Sequence, residues 1–147
     1  MSYIIFNKLG DNVEGSFSRI AENITDLNNF NIIKSDYKII EISSEDFNLI
    51  KLGKKNVVSY NGNTVNYTNE THNWSLNTLK IYVDNCQKEI ENFLKQNINH
   101  PDKNKWSNYL SQLKNFDLNT LNYPFTKSLE EHFNDIGQNA LNINQIP

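Results

Sequence analysis

The strand signal of this chain is densest at residues 57–67, which read Val57-Val58-Ser59-Tyr60-Asn61-Gly62-Asn63-Thr64-Val65-Asn66-Tyr67. Asn-Gly between two β-rich runs is the strongest short-range hairpin signal, because a type I′ turn needs positive φ at both central residues. A two-residue loop pairs Tyr60 with Asn63, and Val58 with Val65. This register predicts a hairpin with one apolar face, made of Val58, Tyr60, Val65 and Tyr67.

The hydrophobic period changes after the hairpin. Residues 68–73 are polar, and beyond them apolar residues recur three and four apart, which is typical of an amphipathic helix. The stripe consists of Leu76, Leu79, Val83, Cys86, Ile90 and Phe93. A second helix is predicted after Pro101, with Trp106, Tyr109, Leu110 and Leu113 on one face. A third begins at Ser128, where Ser128-Leu129-Glu130-Glu131 fits a capping box, with Leu129, Phe133 and Ile136 inward.

Strands are also predicted ahead of the hairpin. Short apolar or β-branched runs indicate strands at Tyr3–Phe6 and Tyr37–Ile42, with a return strand between Val13 and Ser18. Ser43 precedes two acidic residues, which predicts a capped helix that ends at Gly53.

These elements predict an α+β protein. A small antiparallel β-sheet lobe with short helices occupies residues 1–68, an α-helical hairpin lobe occupies residues 74–137, and an extended C-terminal tail occupies residues 138–147. A chain of 147 residues is long enough to bury a core without disulfides or metals.

Composition argues against two classes of partner, nucleic acid and membrane. The net charge is −3 and Arg19 is the one arginine, whereas binding to nucleic acid needs concentrated positive charge. No run approaches the 18 apolar residues that span a membrane, and Met1–Lys8 lacks the pattern of a secretory signal. We therefore expect neither nucleic acid nor membrane as a partner, and an intracellular protein. About 27 residues are asparagine, spread along the chain, which indicates an AT-rich genome.

No constellation of reactive residues is evident. His72, His100 and His132 share no metal-ligand spacing, so no metal site is predicted. Cys86 lies on an apolar helix stripe, which predicts an inert thiol with a raised pKa. Glu130 and its neighbours Glu131, His132 and Asp135 are interpreted as the solvent face of a helix. The sequence predicts a non-enzymatic protein with no catalytic residue and no cofactor.

Aromatic residues in the second half have two interpretations. They form either a stacking platform for single-stranded nucleic acid or a core and protein interface, and the mixed charges nearby favour the latter. The predicted partner-binding residues are Trp106, Tyr109, Leu113 and Tyr123, together with the hairpin residues Val58, Tyr60, Val65 and Tyr67. The regular helix stripe also suits a homo-oligomer.

The order of these pieces resembles a known class. It runs from an opening strand, Tyr3-Ile4-Ile5-Phe6-Asn7, through the strand and acid-rich helix start at Ile39–Phe47, to the hairpin. A Trp-x-x-Tyr element at Trp106–Tyr109, a Tyr123-Pro124 pair and a Gln145-Ile146-Pro147 end follow. This layout is similar to that of small tail and virion proteins of tailed bacteriophages, related to tail-fibre-assembly proteins.

The resemblance implies a phage virion or tail structural protein. Such a protein binds other tail or virion proteins during tail or tail-fibre attachment, and is located in the virion or in the host cytoplasm during assembly. Three alternatives remain open. They are a tail-fibre assembly chaperone that is not retained in the particle, a small single-strand nucleic-acid-binding protein, and a small enzyme.

Overall fold

A computed structural model describes residues 1–8, 16–30, 32–62 and 64–147. They form two compact units, Met1–Glu70 with Asn144–Pro147, and Thr71–Ile143. Strands lie in the first unit and the long helices in the second, so the predicted α+β class is confirmed. The structure divides the C-terminal end differently from the sequence prediction, because residues 138–143 belong to the helical unit.

The first unit is built on a three-stranded antiparallel sheet. Its strands are β1 (Ser2–Asn7), β2 (Phe17–Ala21) and β3 (Tyr37–Ile42), and β1 lies in the middle. The predicted strands at Tyr3–Phe6 and Tyr37–Ile42 are confirmed. The predicted return strand, between Val13 and Ser18, overlaps β2 at Phe17 and Ser18, and residues 13–15 of that prediction lie outside the described residues.

Both faces of this sheet are covered. On one face Ile4, Phe6 and Ile42 pack with helix α2 (Ser44–Lys51), and on the other Ile5 packs with Leu27 of helix α1 (Ile24–Asn29). The predicted cap is confirmed, since Asp46 N donates to Ser43 Oγ over 3.1 Å. Gly53 follows α2 with a φ of 69°, a left-handed conformation that glycine adopts without steric cost.

The hairpin exists, but its predicted register is wrong. Strands β4 (Lys55–Tyr60) and β5 (Val65–Asn69) pair Tyr60 with Val65 and Val57 with Tyr67, and the register shifts between Val57 and Ser59. Asn61 does not adopt positive φ, so the type I′ turn does not form there. Asn61 N instead donates to Thr64 O over 3.3 Å, which closes a longer loop. The bulge turns Val58 outward and brings Val57 onto the apolar face.

The second unit contains the predicted helices. They are α3 (Leu76–Gln96), α4 (Lys103–Asn115) and α5 (Leu129–Asp135). The predicted stripe of α3 is buried except for Leu76 at its first turn. Ser75 and Thr78 form a reciprocal capping box ahead of α3. Glu131 N donates to Ser128 Oγ over 2.9 Å, as predicted for α5.

Two predictions at the C-terminal end are wrong. Ile136 is 48% exposed, because it caps α5 beyond the last helical turn that packs inward. The C-terminal residues predicted as an extended tail contain a 3-10 turn at Ile143–Gln145, and Ala140, Leu141, Asn142 and Gln145 are buried. Across the described residues, no helix combines the length and hydrophobicity needed to cross a membrane.

Candidate interaction site at a sheet edge

The predicted aromatic anchors of α4 lie in the interior of the helical unit. Trp106 is 0% exposed, and Tyr109 and Leu113 are also buried. The Trp106 and Tyr109 rings meet edge to face with centroids 6.2 Å apart, and Tyr109 meets Phe133 in the same way at 6.2 Å. In this structure these three side chains are core residues, so the surface contact predicted for them needs a correction. They form the apolar face of α4, and the sequence alone does not tell whether such a face packs in a core or binds a partner.

The other predicted binding residues are divided between the two units. Tyr123 is partly buried, and its hydroxyl donates to Leu118 O over 2.7 Å. In the hairpin, Tyr60 is buried and both Val65 and Tyr67 pack against the same cluster, whereas Val58 is 51% exposed. The structure therefore brings three of the hairpin residues together, with Val57 in the place predicted for Val58.

A buried polar cluster joins α3, α4 and α5. Glu130 is only 5% exposed, so its predicted position on the solvent face is wrong. The hydroxyl of Tyr82 donates to Glu130 Oε1. Burial, and then the neighbouring Glu130 carboxylate, raise the pKa of the Tyr82 and Tyr109 hydroxyls above their ordinary value.

Cys86 belongs to this cluster. Burial and the nearby Glu130 raise the pKa of the Cys86 thiol to about 12. A thiol with this pKa stays protonated near neutral pH and is a poor nucleophile, so the predicted raised pKa is confirmed. Within the described parts of the chain, no three His, Cys, Asp or Glu side chains are grouped as metal ligands.

A groove of about 380 Å³ lies between α3 and the end of α4. Its floor includes Val83, Leu113 and Phe116. Two of its charged residues already have partners: Lys114 pairs with Glu91 over 3.1 Å, and Asn119 N donates to Asp117 over 3.0 Å. The groove thus has a mixed apolar and polar lining, and Lys114 and Asp117 already serve the local fold.

The outer edge of β3 presents a different kind of site. Asn7 N donates to Ser16 O over 2.9 Å on the β2 side, and Lys8 N donates to Asp36 O over 3.1 Å on the β3 side. Antiparallel strands alternate the direction of their N–H and C=O groups from one residue to the next. Even-numbered residues of β1 therefore bond to β3.

The outward-facing residues of β3 follow from this alternation. Since Phe6 is opposite Lys38 and Ile4 is opposite Ile40, these even-numbered residues of β3 bond to β1. The N–H and C=O groups of Tyr37, Ile39 and Glu41 point away from the sheet. Among the strands that the structure describes, β3 pairs with β1 alone. Such a row of backbone donors and acceptors is a template for another strand.

The side chains of β3 anchor it in the unit. Tyr37 and Ile39 pack on the α1 face, and Ile40 and Ile42 belong to the α2 face. Ile33, in the segment leading to β3, is 68% exposed. The strand is therefore held on one edge by β1 and on both faces by core contacts, and its other edge pairs with no strand that the structure describes.

No protein-family model matches this chain, and neither a curated protein nor a solved structure is significantly similar to it. The geometry of the β3 edge therefore carries the functional argument. Sequence reasoning identified β3 as a strand but missed its position at the edge, because strand order depends on contacts between distant segments. One signal was present: Lys38 and Glu41 are charged residues within a strand, a feature of edge strands.

Proposed function

We propose that this protein works by binding other proteins, as a structural component of a phage tail or virion, and that β3 is its docking strand. The observation that supports the binding mode is the outward row of N–H and C=O groups at Tyr37, Ile39 and Glu41. The order of elements along the chain, which resembles that of tail and tail-fibre-assembly proteins, supports the narrower assignment to a phage particle.

Binding proceeds by addition of an extended segment to the sheet. The partner's backbone pairs with the three outward-facing residues of β3, and each hydrogen bond contributes about 0.5–1.5 kcal/mol net. Side chains then determine which segment is accepted, because alternate residues of the partner contact the two faces of the sheet. Partly buried Ile39 and Ile40 favour apolar residues in the segment that adds beside them.

The test is a proline at the centre of the edge. The Ile39 N–H points away from β1, so Ile39→Pro removes a donor needed by a partner while leaving the pairing with β1 intact. Proline is tolerated in edge strands for this reason. Ile39→Ala is the matched control, since it removes the same side chain but keeps the N–H.

The affinities of the wild type and both variants are measured against purified tail proteins encoded beside its gene. We expect Ile39→Pro to weaken binding at least about tenfold, which corresponds to about 1.4 kcal/mol. We expect Ile39→Ala to stay within a few-fold of the wild type. Equal loss in both variants, or no loss in either, contradicts docking on β3.

Mass spectrometry of purified particles tests the place of this protein in the phage. A stoichiometric amount in the particle is expected for a structural component. If the protein binds tail proteins through β3 but is absent from the particle, the tail-fibre assembly chaperone replaces the structural component as its function.

A further inference from the structure

We infer that the strand added to the β3 edge is β3 of a second copy of this chain, so that two three-stranded sheets join into one continuous sheet across a two-fold axis. This inference rests on the proposed function and names the partner of the same site; a second copy and a segment of another tail protein then compete for the β3 edge. Two identical edge strands that meet side by side are related by a two-fold axis perpendicular to the sheet. They run antiparallel, and corresponding faces stay aligned.

The symmetry restricts the register. A two-fold axis perpendicular to the sheet pairs odd-numbered residues with odd-numbered residues, so the outward-facing positions of both copies meet as hydrogen-bonded pairs. With the axis at Ile39, each Ile39 pairs with its counterpart and each Tyr37 pairs with the second copy's Glu41. All three outward-facing residues are then used in both copies, giving roughly six backbone hydrogen bonds.

In this register the side chains of β3 match those of β3 in the second copy. Apolar Ile39 meets Ile39 at the axis, and on either side a tyrosine hydroxyl lies opposite a carboxylate that accepts hydrogen bonds. Tyr37 is partly buried and Glu41 is exposed, so both are at the surface where a second copy approaches.

The opposite face is also compatible with this pairing. There Lys38 lies opposite the second copy's Ile40, and the apolar stem of lysine covers isoleucine while its charge stays in water. No like charges face each other. A shift that places the axis at Ile40 puts Glu41 opposite Ile39 and leaves Tyr37 outside the paired residues, so the axis at Ile39 is favoured.

The two charged residues that mark β3 as an edge strand, Lys38 and Glu41, do not repel their counterparts in this register. Edge strands that must exclude copies of themselves carry proline or charges that repel across the axis. The sequence of β3, Tyr37-Lys38-Ile39-Ile40-Glu41-Ile42, contains no proline, and its single Lys and single Glu lie opposite uncharged residues. In a pair of identical copies, β3 therefore supplies the matching residues on both sides of the contact.

Sedimentation equilibrium of the full chain is the first experiment. The wild type is expected at twice the chain mass of 17.1 kDa. Ile39→Pro is expected to weaken the dimer at least tenfold, whereas Ile39→Ala stays mainly dimeric. Circular dichroism confirms that both variants retain their folded content.

Disulfide trapping tests the register independently of stability. In the predicted dimer the two Cα atoms at position 39 are about 5.5 Å apart, within the range that a disulfide spans. Ile39→Cys is therefore expected to form a cross-linked dimer under mild oxidation. Glu41→Cys is the matched control, because its counterpart lies roughly 13 Å further along the strand. The native thiol of Cys86 is buried and is not expected to cross-link.

Two results overturn the inference. One is a wild type that stays monomeric at all concentrations. The other is a dimer that is unaffected by Ile39→Pro and is not trapped by Ile39→Cys. If the protein is monomeric but Ile39→Pro still abolishes binding to a tail protein, docking on β3 stands and only the second copy is refuted.

Discussion

The Glu130 side chain is an ionisable group inside the core of the helical unit. Glu130 is buried, and its carboxyl oxygen accepts a hydrogen bond from Tyr82. A buried carboxyl group is costly unless it is hydrogen-bonded, so Tyr82 links α3 to α5 through this bond. The position of Glu130 beside Glu131, His132 and Asp135 predicted a solvent-exposed side chain, and only the fold shows that it faces inward.

Removing the Tyr82 hydroxyl tests this link. Tyr82→Phe is expected to lower the free energy of unfolding by about 1–3 kcal/mol, because it deprives a buried carboxyl group of a hydrogen bond. Tyr123→Phe is the control, since its hydroxyl donates to a neutral carbonyl in a more accessible position and should cost less. Urea unfolding of both variants measures the difference. A loss for Tyr123→Phe equal to or larger than that for Tyr82→Phe refutes the interpretation.

The thiol of Cys86 predicts how stability changes at high pH. Its pKa is about 12 in the folded protein and 9.0 as the ordinary value. Below pH 9 the thiol is protonated in both the folded and the unfolded state, and its contribution to the free energy of unfolding is fully present. Above pH 9 the unfolded state loses the proton first, so the free energy of unfolding falls by about 1.4 kcal/mol per pH unit until the folded thiol also ionises.

Cys86→Ala removes this contribution. Urea unfolding between pH 8 and pH 11 is expected to give a shallower decline for Cys86→Ala than for the wild type, with the difference confined to pH values above 9. Burial and Glu130 raise the pKa of Tyr82 and Tyr109 in both proteins, and Cys86 raises it further in the wild type. Loss of this effect in Cys86→Ala also makes the decline shallower. Identical slopes in the two proteins rule out a raised thiol pKa.

Among the elements, the β4–β5 hairpin was predictable from local sequence, whereas its register depends on packing. Asn-Gly and the flanking β-branched residues predicted the hairpin correctly, but three of the four residues of the predicted apolar face, Tyr60, Val65 and Tyr67, lie there and Val58 does not. The register depended on a bulge, which exists because it places Val57 and Tyr67 beside Tyr60 and Val65 in the core cluster. This core cluster also contains residues of the three-stranded sheet, which are distant in sequence, so the pattern of residues 57–67 alone does not predict the bulge.

A pair of valine substitutions tests the observed register. Val57 is 6% exposed and Val58 is 51% exposed. Val57→Ala is expected to lower the free energy of unfolding by about 1–3 kcal/mol, since it removes buried methyl groups. Val58→Ala is expected to change it by less than about 0.5 kcal/mol. Denaturant unfolding of the two variants decides the register, because the two-residue loop predicts the opposite order.

The helices were more predictable than the sheet. The stripe from Leu79 to Phe93 and the caps at Ser43 and Ser128 depend on residues close in sequence, and the structure confirms them. Whether the stripe of α4 faces a core or a partner depends on what packs against it. The sequence left core and protein interface both open for Trp106, which was predicted as a partner-binding residue, and the structure places its side chain in the interior.

For the whole molecule, the important feature is the position of β3 at one edge of its sheet. Strand order is a property of the complete chain, since β2 and β3 lie on either side of a β1 that precedes both. An edge strand with backbone groups directed outward can accept another strand with little change in its own conformation. This topology is the basis of the binding by strand addition that we propose.

The most direct test is the exchange rate of the backbone amides of β3. NMR measures these rates in the wild type and in Ile39→Pro. If a second strand pairs there, the amides of Tyr37 and Glu41 are protected in the wild type and exchange rapidly in the variant, while those of Lys38, Ile40 and Ile42 stay protected in both. Rapid exchange of Tyr37, Ile39 and Glu41 in the wild type at every concentration, and in the presence of tail proteins, would contradict the role of β3 as a docking strand.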